Sequence, residues 1–191
     1  MACLTNLAAI LTRIFLGLIF FTSGMGKLTH GDFPGLIGPV WLEQRLAEYG
    51  LGMWAVFVAW SQVTVGLLLL SQRFATLGAV MLVPMLANIL VITISMEWRG
   101  MPYVNAVLLA MNLFLLFVDR HRLKLLLIDD DSPRTIALTR RRPTLDLLCL
   151  AAIAVCFAAA ALHDVTRLLT FALAAAGVAM FAVSAVRERW T

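Results

Sequence analysis

Charge is scarce in this chain of 191 residues: 14% are Asp, Glu, Lys or Arg, while 62% are hydrophobic. Soluble domains carry roughly a quarter charged residues, so a water-soluble fold is excluded. Histidines number three, His30, His121 and His163, and all sit at or beyond the ends of apolar runs, which excludes a bis-histidine haem within a bilayer. Cysteines also number three, with no Cys-x-x-Cys. Cys149 and Cys156 would stand about 10 Å apart along one helix, too far for a disulfide with each other, and read as small packing residues. A phosphate-binding glycine loop, a serine nucleophile elbow and a zinc-binding His pair are missing as well. Carboxylates avoid the middle of the apolar runs: Glu97, Asp119, Asp146 and Asp164 lie at their ends, which disfavours a proton-coupled pump. Met25, His30, Met53, Met96 and Met101 gather near one end of four runs, but ordinary apolar methionines explain them better than a Cu(I) site. No metal is expected.

What is present is apolar sequence in long blocks. Six runs, 6–28, 52–71, 74–96, 101–118, 145–162 and 168–186, are each long enough to cross a hydrocarbon core of about 30 Å as a helix. The expected fold class is therefore all-α, a polytopic integral membrane protein with a four-helix transmembrane bundle plus two extra C-terminal transmembrane helices, six spans in all. Three segments follow: a core over 1–128, a charged cytoplasmic linker over 129–144, and a two-helix extension over 145–191. In the linker Asp129, Asp130 and Asp131 precede Arg140, Arg141 and Arg142. Between the first two spans, Trp41, Leu42, Leu46 and Tyr49 fall at helical spacing, predicting an aromatic-edged interfacial helix over 39–49 on the outer side. In the final pair Thr170, Gly177 and Ser184 recur every seven residues, a small-residue face suited to close packing.

Lys and Arg near span ends set the orientation, because positively charged short loops stay in the cytoplasm. With the N-terminus inside, one side holds ten such residues, from Arg73 and Arg120 to Arg187 and Arg189. The other holds Lys27, Arg45, Arg99 and Arg167. Both termini are expected in the cytoplasm and the protein in the cytoplasmic (inner) membrane. The first run lacks a basic n-region and a small-residue cleavage site, so it reads as a retained helix rather than a signal peptide. The formal charge of +4 belongs to these loops. Nucleic acid is not expected as a partner, the bilayer is, and no feature sets an oligomeric state.

Polar groups at membrane depth are costly unless partnered, which makes them the informative letters. In the first run Arg13, Gly17, Phe20, Gly24 and Lys27 keep heptad spacing, putting two cations at the ends of one glycine-lined face that points into the bundle. Gly17 and Gly24 are the packing glycines of that face. Depth along each span, at about 1.5 Å per residue, predicts one layer of Arg13, Gln62 and Asn112. A second layer holds Asn88 and Asn105 with Ser23 and Lys27. Asn105, Asn112 and Asp119 follow at seven-residue intervals on one face of the fourth run. Two readings of these groups compete: interhelical hydrogen bonds that hold the bundle, or the lining of a pocket for a polar head on an apolar body, such as a quinone.

The run Arg13-Ile14-Phe15-Leu16-Gly17-Leu18-Ile19-Phe20, followed by Ser23-Gly24-Met25-Gly26-Lys27-Leu28, resembles the first-helix signature of the DoxX-like (DoxX/DoxD-type) family. The segment Trp60-Ser61-Gln62-Val63-Thr64-Val65-Gly66, leading through Arg73 into the third run, is similar to that family's second helix. The resemblance covers roughly residues 8–120 and stops before the last pair of runs. It implies a compact four-helix membrane bundle. It also implies a place among proteins that include DoxD-type subunits of thiosulfate:quinone oxidoreductases, accessory proteins of redox pathways, and many members without an assigned activity. Arg13, Gly17, Gly24 and Lys27 match the family's first-helix positions. At Gln62 the family pattern often has glutamate, so an amide stands here where a titratable group is common.

These readings lead to an expected function: a quinone- or lipid-binding accessory subunit supporting a membrane redox system and a redox partner protein, without a self-contained catalytic motif. Arg13, Gln62 and Asn112 are the first candidate pocket residues, and Asn88, Asn105 and Lys27 the second set. A quinone is the one cofactor suggested. The alternatives are a structural or assembly protein whose polar residues only pack helices and, third, a small-solute transporter.

Overall fold

A computed structural model of the chain describes residues 2–37, 46–121, 123, 143–161 and 171–180. Among these residues the fold is all-helical, with no strand. The chain forms two compact units, Met1–Arg120 and His121–Thr191.

The first unit contains α1 (Ala2–Leu28), α2 (Gly52–Leu70), α3 (Ala75–Ser95) and α4 (Met101–Val118). Each is long and apolar enough to cross a membrane. In lipid every backbone group must be bonded within its own segment, so such runs become helices whatever their intrinsic propensity. Their ends follow from local backbone chemistry. His30 (φ 50°) and Gly31 (φ 97°) take left-handed conformations, and the Gly31 amide returns to the Gly26 carbonyl at 2.8 Å, closing α1. Glu97 (φ 49°) does the same after α3, where the Trp98 amide donates to the Thr93 carbonyl at 3.1 Å. Gly100 (φ 87°) precedes α4, and Pro102 stands in its first turn, where a missing N–H costs nothing.

The four helices form a closed ring in which α1 packs most extensively on α2. Glycine makes that contact possible: a Cβ on Gly66 would lie 2.5 Å from the Phe21 amide nitrogen, and one on Gly24 would lie 2.7 Å from the Ala59 carbonyl oxygen. Gly17 faces Gly66 and Leu70 in the same seam. Inside the ring Leu16, Phe20, Leu69, Leu82, Leu86, Leu108 and Leu115 build the core. Outside it Leu11, Phe57, Val91, Val107 and Phe117 are exposed, an apolar perimeter that suits lipid rather than water.

The expected spans of this unit agree with the helices to within a few residues; α1 starts earlier, at Ala2. The second unit contains α5 (Pro143–Ala161), which begins at a proline in the first turn rather than at residue 145, and a described helical stretch over 171–180. Ala152, Cys156 and Ala159 are fully buried on one face of α5. Gly177 sits against Ala152 and Cys156 so closely that a Cβ would collide with the thiol sulfur. Within this unit the stretches Leu150–Ala159 and Phe171–Met180 are apolar but shorter than a full span. The described residues thus hold four membrane-crossing helices, against the six expected. The interfacial helix over 39–49 lies outside the described residues except at its end, where residues 46–48 are helical. Of the linker expected over 129–144, residues 143–144 open α5 and the rest lies outside the described residues, as do the outer parts of the run 168–186.

Candidate functional site

Two clusters of polar side chains stand about 14 residues apart along α1, on the face predicted for Arg13 and Lys27. At the first, Arg13 Nη2 donates to both oxygens of Asp119, at 2.7 and 2.8 Å, and Thr76 Oγ1 donates to Asp119 Oδ2 at 2.9 Å. The arginine side chain is 13% exposed and the aspartate 8%, so this ion pair is largely withdrawn from solvent. Arg13 Nε is buried with no hydrogen-bond partner. One residue each from α1, the start of α3 and the C-cap of α4 is locked together here.

At the second cluster Lys27 Nζ donates to Gln62 Oε1 at 2.6 Å. On α1 the residues Ile19, Phe20, Ser23 and Lys27 follow at helical spacing and face a cavity of about 70 Å³. On α2 the residues Trp54, Ala55, Val58 and Gln62 repeat the same spacing and face it from the other side. Thr93 and Asn105 supply the remaining polar wall, joined by the Asn105 Nδ2 to Thr93 Oγ1 bond at 3.3 Å. Trp98 and Met101, which follow the left-handed turn at Glu97, complete the lining. The chain after α1 also returns to this wall. Ser23 Oγ donates to the Ile37 carbonyl, the Leu36 amide donates to Thr22 Oγ1, and Phe33 stacks edge-on against Phe21 at 6.3 Å.

A small, mostly apolar chamber with a cation, two amides and two hydroxyls on its wall can hold a polar head that accepts hydrogen bonds, and a few ordered waters in its absence. No group of His, Cys, Asp and Glu among the described residues could hold a metal ion.

The placement corrects the layers expected from depth. Arg13, Gln62 and Asn112 do not share one. Gly24 packs against Ala59 and Val63, so Gln62 is level with residues about eleven positions beyond Arg13, some 16 Å along the helix. Depth counting takes helix ends as flush, but α1 has 27 residues and α4 has 18, and residue 13 is level with the end of α4. Asn112 stands between the two clusters, fully buried, with Nδ2 bonded to the Ala79 carbonyl at 2.9 Å and Oδ1 unpartnered. Asn105, Asn112 and Asp119 do share a buried face. Of the second expected layer, Asn105, Ser23 and Lys27 meet at the cavity, whereas Asn88 is exposed on the other side of α3. Sequence reasoning missed Trp54, Trp98 and Thr93. A signal existed for Thr93, a hydroxyl late in α3 and five residues from Asn88, but Ser95 offers another hydroxyl there and hydroxyls that bond their own helix are common at depth.

A family model described as DoxX matches residues 8–95 of this chain, from the first turns of α1 to the end of α3. An uncharacterised protein of Bacillus subtilis (strain 168), YwoB, is 30% identical over 117 residues, covering 58% of this chain and 75% of that protein. No solved structure matches.

Proposed function

The chain belongs to the DoxX family, and from that premise we propose that this multi-pass membrane protein binds a quinone, or a lipid with a similar small polar head, as an accessory subunit of a membrane redox system. The observation that carries the reading is the chamber at Lys27 and Gln62: polar donors converge on an otherwise apolar cavity formed by all four helices. Lys27 and the Asn105 amide donate to a carbonyl or oxyanion on the head, and Gln62 and Ser23 orient it. Trp54 and Trp98 flank the ring. Arg13 and Asn112 have no part in this pocket. The same reading places the protein in the cytoplasmic membrane with both termini inside and with α5 and the run that follows it as fifth and sixth spans, in keeping with the excess of Lys and Arg on one side. In this reading a partner protein supplies or takes the electrons.

One observation favours a purely structural role: Lys27 with Gln62, Asn105 with Thr93 and Ser23 with the Ile37 carbonyl are already bonded to one another. Mass spectrometry of the organic extract from the purified full chain separates the two. A quinone retained by the wild type and lost in folded Gln62→Leu supports the pocket. Bulk lipid alone in the wild type, even after added quinone, leaves the polar groups as helix ties.

A further inference from the structure

Asn88 faces outward in the middle of an apolar helix, and its amide makes no hydrogen bond among the described residues. Four residues before it stands Pro84, which has no N–H to give, so the Val80 carbonyl loses its helical partner. Val80, Pro84 and Asn88 share one helix face, which therefore offers an acceptor and an amide towards hydrocarbon, where unsatisfied polar groups are expensive. The same face borders open depressions of about 1030 and 270 Å³ between α2 and α3. Both are lined by Trp54, Pro84 and Asn88. Trp54 also lines the inner chamber, and Val58 and Ile89 have one side on the chamber and one on the smaller depression. Only the thickness of these side chains separates the lateral groove from the Lys27 and Gln62 wall.

The geometry points to lateral loading of the chamber from the bilayer: a lipid-borne ligand with a small polar head and a long apolar tail passes between α2 and α3, with Trp54 part of the partition and Asn88 as the polar contact on the way. This rests on the pocket reading above and adds its ligand class and route. A water-soluble ligand gains nothing from a groove open along a membrane-spanning helix. A tail left in the groove keeps its contact with lipid while the head reaches the donors. The partition consists of the side chains of Trp54, Val58 and Ile89, so the passage opens by side-chain rotation and needs no shift of a helix.

The test uses the full chain in vesicles. With the other four tryptophans, Trp41, Trp60, Trp98 and Trp190, changed to Phe, dibrominated phosphatidylcholine chains are expected to quench Trp54, and Asn88→Phe, which fills the groove, to restore most of the emission. Decylubiquinone is the binding probe. Asn88→Phe is expected to slow its association roughly tenfold and its dissociation equally, leaving Kd unchanged, because a blocked route alters rates and not the end states. Unquenched Trp54, or wild-type exchange rates in Asn88→Phe, overturns the lateral route while the pocket stands. A wild type that takes up no decylubiquinone overturns both. Disulfide-linked dimers of Asn88→Cys, in a chain whose three natural cysteines are replaced by serine, overturn it too, since the face then belongs to a second copy.

Discussion

The two ends of the α1 face are built from similar beginnings and finish differently. Arg13 meets a carboxylate and a hydroxyl; Lys27 meets an amide. Around Arg13 the neighbouring helices bring leucines such as Leu69, Leu82 and Leu115, all with no exposure, and the end is closed. Around Lys27 the α2 wall carries the small Ala55 and Val58 between Trp54 and Gln62, and a chamber remains. A charge that is neutralised and surrounded by large side chains ties helices together. At the Lys27 end the bond to the Gln62 amide lies on the wall of open volume, and that volume is what leaves room for a ligand head.

The largest way to break this contrast is to remove one partner of the closed end. Arg13→Leu leaves Asp119 buried and unpaired, which should cost about 3–5 kcal/mol, seen as a lower melting temperature in detergent. Arg13→Leu with Asp119→Leu should recover most of it, because the buried charge is then gone. A single variant as stable as the wild type would show that the pair does not close that end. Next comes the seam that sets the helix spacing: Gly66→Val forces α1 and α2 apart and should cost about 1–3 kcal/mol. Gly35→Ala, where an added Cβ meets nothing nearer than 3.6 Å, should be tolerated and serves as the control in the same melt.

Gln62→Glu sharpens the comparison by making the open end resemble the closed one. The new carboxylate beside Lys27 is buried, so its desolvation offsets much of its attraction to the cation and stability should change by no more than about 1 kcal/mol. Retention of a quinone should fall, because the added negative charge disfavours an oxyanion or carbonyl at that wall; extraction and thermal melts measure the two effects together. Smallest is Asn112→Leu. It removes a buried oxygen that has no donor along with one bond to the Ala79 carbonyl, and the net change should fall within about 1 kcal/mol, with ligand retention unaltered.

Much of the first unit was legible in the letters because hydrophobic length and heptad spacing are local properties. The four spans, the inward face of α1 and the shared face of Asn105, Asn112 and Asp119 all follow from counting residues along single helices. Partnerships were not legible. Depth counted from helix ends taken as flush pairs Arg13 with Gln62, whereas the glycine seam offsets α2 along α1 so that Gln62 meets Lys27. By sequence Asp119 lies at a span end, and the offset between a long α1 and a short α4 makes that end level with Arg13. Depth alone groups Asn88 with Asn105; its rotation about the α3 axis, which depth does not encode, turns it outward.

By itself, then, the sequence determined a membrane protein of apolar helices, the family to which it belongs, and which few polar residues must be accounted for. Those are consequences of solvation: a bilayer accepts long apolar helices and penalises isolated polar groups regardless of their neighbours. Tertiary structure alone decided that Arg13 is tied to Asp119, that Lys27 and Gln62 border a chamber, and that Asn88 faces a groove beside it. Those depend on the axial offset and rotation of each helix, which are settled by contacts between residues far apart in the chain, here the close approach at Gly24 and Gly66.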